Sequence, residues 1–131
     1  MPANRILVVD DSPSLRRMIA ACLRAGGHAV TEAADGEEAR TLAQQAGADE
    51  PFGMLVTDQV MPGIDGLTLI RSLRADARYA AIPMLMLTTE ADSQIRELAR
   101  EAGASGFLPK PFDPDQLMRS VAALLSPTEE G

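Results

Sequence analysis

The chain contains no tryptophan, one tyrosine and three phenylalanines, and only one each of cysteine, histidine and lysine. Each shortage removes a class of function. A single cysteine, Cys22, forms no internal disulfide. It falls on the apolar face of a predicted helix, where a thiol serves as a small hydrophobe, and this usage fits a reducing cytoplasm. A single histidine, His28, beside the Gly26-Gly27 turn, leaves no pair of imidazoles for a metal site. No apolar run approaches the ~20 residues of a membrane span, and the chain enters Ile6-Leu7-Val8-Val9 without a signal-peptide pattern. Membrane insertion is therefore not expected, and a cytoplasmic location is. A net charge of −7 with no basic cluster and few aromatics argues against direct nucleic-acid binding.

What is present is a globular composition, 46% apolar and 24% charged over 131 residues, near the commonest size of one domain. A single domain over 1–131 is expected. Its first apolar run, Ile6-Leu7-Val8-Val9, has three β-branched residues of four and reads as a buried strand. It ends on two adjacent aspartates, Asp10 and Asp11. Like charges that close repel, so they either favour the positive N-terminal end of the next helix or flank a hard cation with oxygen ligands, Mg²⁺ first.

Four more apolar runs follow, at 29–33, 52–57, 84–87 and 106–108, alternating with amphipathic stretches. Ser12 and Pro13 predict a helix start, with Leu15, Met18, Ile19, Cys22 and Leu23 at helical spacing. The Ala29–Ala33 run is weak and predicts an edge strand. Asp35-Gly36 opens a small-residue helix through Ala39, Leu42, Ala43 and Ala46. Pro62, Gly63 and Gly66 lie in a loop before a helix with Leu67, Ile70 and Leu73. Ile95, Leu98, Ala99 and Ala102 mark the next helix, stopped by Gly103. Asp113 and Pro114 open the last, with Leu117, Val121, Leu124 and Leu125 inward. Met61-Pro62 and Asp65-Gly66 read as turn chemistry, and the methionines as core filling.

Five βα units imply a parallel sheet with helices on both faces. Asp10, Asp11, Asp58, Thr88 and Lys110 all fall just beyond the C-terminal ends of predicted strands. In a doubly wound sheet those ends share the edge where ligands bind. Three carboxylates, a hydroxyl and the chain's only lysine thus converge on one place.

With those residues in view, the chain resembles the receiver domains of bacterial two-component response regulators. The matching segments are Val8-Val9-Asp10-Asp11-Ser12, Thr57-Asp58-Gln59-Val60-Met61-Pro62-Gly63-Ile64-Asp65-Gly66, Pro83-Met84-Leu85-Met86-Leu87-Thr88-Thr89 and Gly103-Ala104-Ser105-Gly106-Phe107-Leu108-Pro109-Lys110-Pro111-Phe112. They span about residues 5–125. Within that family the wording is similar to stand-alone chemotaxis regulators of the CheY type, in Asp10-Asp11-Ser12-Pro13-Ser14-Leu15-Arg16 and Lys110-Pro111-Phe112-Asp113-Pro114 among others. The resemblance implies a flavodoxin-like α/β/α fold, its five-stranded sheet in the order 2-1-3-4-5, an order for which general fold rules already cite CheY. It also implies one receiver domain with no output domain.

The resemblance implies a role for each site residue. Asp58 is the phosphoacceptor. Asp10, Asp11, Asp58 and the backbone carbonyl of Val60 hold Mg²⁺, Asp11 and Asp58 directly and Asp10 largely through water. Lys110 pairs with Asp58 at rest and with the phosphoryl oxygens afterwards. Thr88 bonds the phosphoryl group, and Phe107 is the switch aromatic that rotates as Thr88 moves inward. The Lys110-Pro111 bond is cis. A CheA-like histidine kinase is the implied donor. The flagellar motor switch is the implied target, met by the face of the fourth helix, fifth strand and fifth helix. Such a protein catalyses its own phosphorylation and dephosphorylation but is a switch, not a metabolic enzyme.

Three positions depart from the commonest pattern. Val60 stands where asparagine is frequent, Thr89 replaces a small residue, and Phe107 lacks a phenolic hydroxyl. Val60 and Thr89, together with Glu90, are the expected tuning positions. The rival roles within the fold are a phosphorelay shuttle, a phosphate sink or another non-chemotaxis receiver. An aspartyl-nucleophile phosphatase would want Asp-x-Asp after the first strand, whereas the chain reads Asp10-Asp11-Ser12. An FMN-binding flavodoxin would want a Ser/Thr-rich loop and stacking aromatics.

Overall fold

The computed structural model describes residues 5–47, 50–89 and 93–125. Five strands, β1 (Arg5–Val9), β2 (Ala29–Ala33), β3 (Met54–Asp58), β4 (Met84–Thr88) and β5 (Gly106–Pro109), alternate with five helices. The helices are α1 (Pro13–Ala25), α2 (Gly36–Gln45), α3 (Gly66–Arg74), α4 (Ser93–Ala102) and α5 (Pro114–Leu125). All strand pairs are parallel, in the order β2-β1-β3-β4-β5. The chain therefore has the expected α/β architecture, with the weak β2 at an edge.

Strand alternation divides the core in two. Leu7 and Val9 of β1, Leu55 of β3, and Met84 and Met86 of β4 face α2, α3 and α4. Their neighbours Ile6, Val8, Met54, Val56, Leu85 and Leu87 face α1 and α5. Successive side chains in a strand point to opposite faces, so central strands buried on both sides must be apolar throughout. That is why β1, β3 and β4 read as unbroken hydrophobic runs and place their polar residues only at the ends.

The helix starts follow side-chain capping. Ser12 accepts from the Leu15 amide, Asp35 from Glu38 and Asp65 from Thr68. Asp113 and Gln116 form a reciprocal pair, each side chain accepting from the other's backbone N–H at 2.8 Å. Past α1, Gly27 adopts φ +94°, which favours glycine.

One boundary shifts and one further element is present. β3 begins at Met54, not Phe52; Phe52 is buried in the loop before it, beneath the Arg5 guanidinium at 4.6 Å. Apolar character thus reflected burial without strand pairing. On α4, Ile95, Ala99 and Ala102 carry the core contact, whereas Leu98 is exposed. A 3-10 turn, Ala77–Tyr79, lies between α3 and β4 and has no apolar period to mark it in the sequence. Asp76 caps it, and the Arg78 guanidinium beside Asp76 holds that carboxyl below its ordinary value.

Tyr79 is fully buried and its hydroxyl donates to the Ala43 carbonyl at 2.9 Å, tying this turn to the end of α2. Tyr79→Phe leaves that carbonyl without its donor. The expected cost is about 1–2 kcal/mol, read as a lower urea midpoint at unchanged slope.

Candidate functional site

Three strand ends supply the charged groups. Asp10 continues β1 by one ladder bond, its N–H meeting the Ala33 carbonyl at 3.2 Å. Its side chain is completely buried, with Oδ1 accepting from Ser12 N at 2.9 Å. Arg16 on α1 braces the same residue, donating to the Asp10 carbonyl at 2.8 Å while its Nε bonds Glu32 at 3.2 Å. Asp11, next along, is exposed. Asp58 closes β3 and is 6% exposed. Its Oδ1 accepts from Gln59 N at 2.9 Å and lies 3.0 Å from Lys110 Nζ.

Lys110 follows β5, and its N–H bonds the Thr88 carbonyl at 2.8 Å. That bond places the lysine beside the end of β4, where Thr88 is buried. The ammonium also approaches Asp10 Oδ2 at 3.4 Å. The Lys110-Pro111 peptide is cis.

Asp10, Asp11 and Asp58 each offer a carboxylate oxygen, and these oxygens lie within 4.8 Å of one another. At that separation two carboxylates repel by roughly 3 kcal/mol at an effective dielectric near 20. One ammonium against three carboxylates leaves the cluster two negative charges in excess. Hard oxygen donors, converging and under-neutralised, fit a divalent cation of the Mg²⁺ or Ca²⁺ kind. The acidic cluster is compatible with a divalent metal site.

Burial pushes the Asp58 carboxyl above its ordinary value, and the Asp10 charge adds to the rise. The hydrogen bond and charge of Lys110 oppose it, as does the Gln59 amide.

The remaining expected positions are more dispersed. Val60 points outward, 59% exposed. Thr89 is exposed and lines a mostly apolar cavity of about 280 Å³ with Leu15, Lys110, Pro111 and Phe112. Phe107 is half-buried on β5, its ring 5.1 Å from the Arg96 guanidinium of α4. Glu90 lies outside the described residues.

Two participants escaped sequence reasoning. Gly66 reads in the sequence as turn chemistry, yet its φ is not in the left-handed region. A Cβ there would fall 2.5 Å from the Asp58 carbonyl oxygen, so close approach to β3 is what demands glycine. Gln59 is the other: a buried amide with both ends bonded. It follows two other polar residues, Thr57 and Asp58, at the end of β3, so nothing in the sequence singles it out.

A carboxylate whose folded pKa exceeds its unfolded value destabilises the fold wherever it is ionised. The penalty is absent below the ordinary value of 3.8, grows as pH rises toward the folded value, and is complete above it. Asp58→Asn is therefore expected to unfold at a higher temperature than wild type at pH 7 in EDTA. The gap should shrink toward pH ~4; thermal melts across that range check the sign.

The response regulator receiver domain model matches residues 6–122. Among solved structures, the chemotaxis response regulator CheY4 of Vibrio cholerae superposes with a TM-score of 0.88 at 35% identity, over 95% of this chain and 100% of that one. The receiver domain of the sensor histidine kinase PA1611 of Pseudomonas aeruginosa PAO1 has a magnesium ion coordinated in its active site cleft. It superposes with a TM-score of 0.82 at 31% identity, over 94% of this chain and 98% of that one. Among curated proteins, Protein PilH of Pseudomonas aeruginosa is 35% identical over 93% of this chain and 98% of its own length. The DNA-binding dual master transcriptional regulator RpaA of Synechocystis is 36% identical over 95% of this chain but 50% of its own length. The chain thus spans about half the length of the DNA-binding regulators it matches. With sheet order, acidic cluster and sequence in agreement, the chain belongs to the response regulator receiver domain family.

Proposed function

We propose that Asp58 takes a phosphoryl group from the phosphohistidine of a histidine kinase, in the cytoplasm, and that the chain signals by the protein it then binds. The observation that carries this reading is the Asp58 carboxylate itself, held 3.0 Å from Lys110 Nζ with oxygens of Asp10 and Asp11 within 4.8 Å. A carboxylate oxygen attacks phosphorus, the bond from phosphorus to the imidazole nitrogen breaks, and that nitrogen keeps the electron pair. Such transfer is mostly positioning and charge neutralisation. Asp10, Asp11, Asp58 and the Val60 carbonyl would hold Mg²⁺. The ion would supply neutralisation of the transferring phosphoryl oxygens. Lys110 lies where it can neutralise a further phosphoryl oxygen. Thr88, buried at the neighbouring strand end, offers a hydroxyl donor.

The output is assigned to α4, β5 and α5, with Phe107 as the ring that responds to Thr88. Its contact with Arg96 gives it a direct link to α4. A CheA-like donor and the flagellar motor switch as target are the pathway reading favoured by likeness to CheY4 over 95% of the chain. The chain acts as a switch that catalyses its own phosphorylation and dephosphorylation, and no described helix is long and apolar enough to cross a membrane.

Incubation with acetyl phosphate and Mg²⁺ is expected to add one phosphoryl mass to wild type and none to Asp58→Asn, read by intact mass spectrometry. An equal adduct on both proteins would overturn the assignment. Pull-down of motor-switch protein with and without beryllofluoride tests the pathway.

Val60 generates a second expectation. Its side chain is apolar and outward, so it cannot hydrogen-bond the water that attacks the acyl phosphate. Val60→Asn should speed loss of the label by about fivefold, the worth of roughly one hydrogen bond in the transition state. A single-turnover decay measurement with an unchanged rate refutes it.

A further inference from the structure

We infer that Gln59 is a positioning residue for the Asp58 carboxylate, acting through a side-chain tether from the end of β3 to the start of α3. A buried amide needs partners for both its oxygen and its nitrogen. Gln59 is 7% exposed, and both partners lie at the start of α3. Its Oε1 accepts from Leu67 N at 2.9 Å, and its Nε2 donates to Asp65 Oδ2 at 3.3 Å. Asp65 is already the N-cap, its Oδ1 accepting from Thr68 N at 2.9 Å. The Gln59 side chain therefore works as a second cap, satisfying an N–H that the first helical turn leaves orphaned.

The backbone of the same residue faces the site. Its N–H lies 2.9 Å from Asp58 Oδ1 and 3.0 Å from the Leu87 carbonyl, and its carbonyl accepts from Gly66 N at 2.9 Å. Asp58 Oδ1 thus sits between the Gln59 amide and the Lys110 ammonium. Lys110 can follow the charge; the amide can hold its place only if residue 59 does. The side chain supplies that anchorage, because it ties the amide's own residue to a helix packed in the core. An apolar residue of similar shape would fill the volume but leave Leu67 N–H buried without an acceptor.

The activity arm of the test rests on Asp58 as phosphoacceptor; the exchange arm does not. Three variants are needed: Gln59→Met, Gln59→Glu, and the swap Gln59→Glu with Asp65→Asn. The second sets two carboxylates against each other. The swap keeps every bond, because the new carboxylate accepts from Leu67 N and from the new amide, whose oxygen still caps Thr68. Amide exchange at positions 59 and 67 is read by NMR without metal. The maximal acetyl phosphate labelling rate is read at saturating Mg²⁺, and the urea midpoint beside both.

Gln59→Met and Gln59→Glu are expected to speed exchange at those two amides about tenfold beyond the loss of global stability. They should also lower the labelling rate by about tenfold, and the swap should restore both. Labelling that tracks only the urea midpoint, or a swap no better than Gln59→Glu alone, overturns the inference. If Gln59→Met fails to fold, Gln59→Glu against its swap carries the comparison. A wild type that takes no label defeats the phosphoacceptor reading instead, while exchange at 59 and 67 still decides the tether.

Discussion

The structure turns on a deficit of positive charge at one edge of the sheet. Asp10, Asp11 and Asp58 bring three carboxylate oxygens within 4.8 Å of one another, and Lys110 offers the ammonium that approaches both Asp58 and Asp10. A parallel sheet makes this possible, since the C-terminal ends of all strands share one side. It also makes it demanding. β5 lies two strand positions from β3 and three from β1, at ~4.8 Å per position, so a side chain leaving β5 must be long to reach either aspartate. Lysine has that reach, and its ammonium is a compact point charge that can shift between acceptors.

Much of the surrounding chain holds these groups against their repulsion. Arg16 clamps the Asp10 carbonyl and is itself held by Glu32 on β2. Gly66 allows α3 to approach the Asp58 carbonyl more closely than any side chain would permit. The Lys110 backbone is fixed to Thr88. Beneath them lie β1, β3 and β4, apolar on both faces. A core so divided leaves the strand ends as the place where the central strands become polar, which is why charge concentrates there.

That same logic explains what could be read from residues alone. The strands were legible because burial on both faces leaves continuous runs such as Met84–Leu87, and the helices because Ser12, Asp35 and Asp113 announce their starts. The positions of Asp10, Asp58, Thr88 and Lys110 followed from the strand ends. Gly66 and Gln59 were not legible, because their importance lies in contacts across the 59–66 loop: a 2.5 Å clearance and a pair of side-chain hydrogen bonds. Neither leaves a periodic trace. Leu98 shows the converse: an apolar residue at helical spacing marks its helix without lying on the buried side.

Charge arithmetic also indicates how the proposed switch would work. Three aspartates and one lysine carry −2 together, which one divalent cation would cancel. Converting the Asp58 carboxylate to an acyl phosphate replaces a charge of −1 with one of about −1.5 to −2, so the site becomes negative again. In the proposed switch, Lys110 would be the cation to answer it, since its ammonium already meets Asp58. Its contact with Asp10, at 3.4 Å, is longer than its contact with Asp58, at 3.0 Å, so the Asp10 contact would be the one to yield if the ammonium followed the phosphoryl oxygens. The Lys110 backbone is bonded to Thr88, and β5 carries Phe107 three residues before the lysine. In the proposed switch, a local change in charge would thereby be presented to the strand whose aromatic ring meets α4.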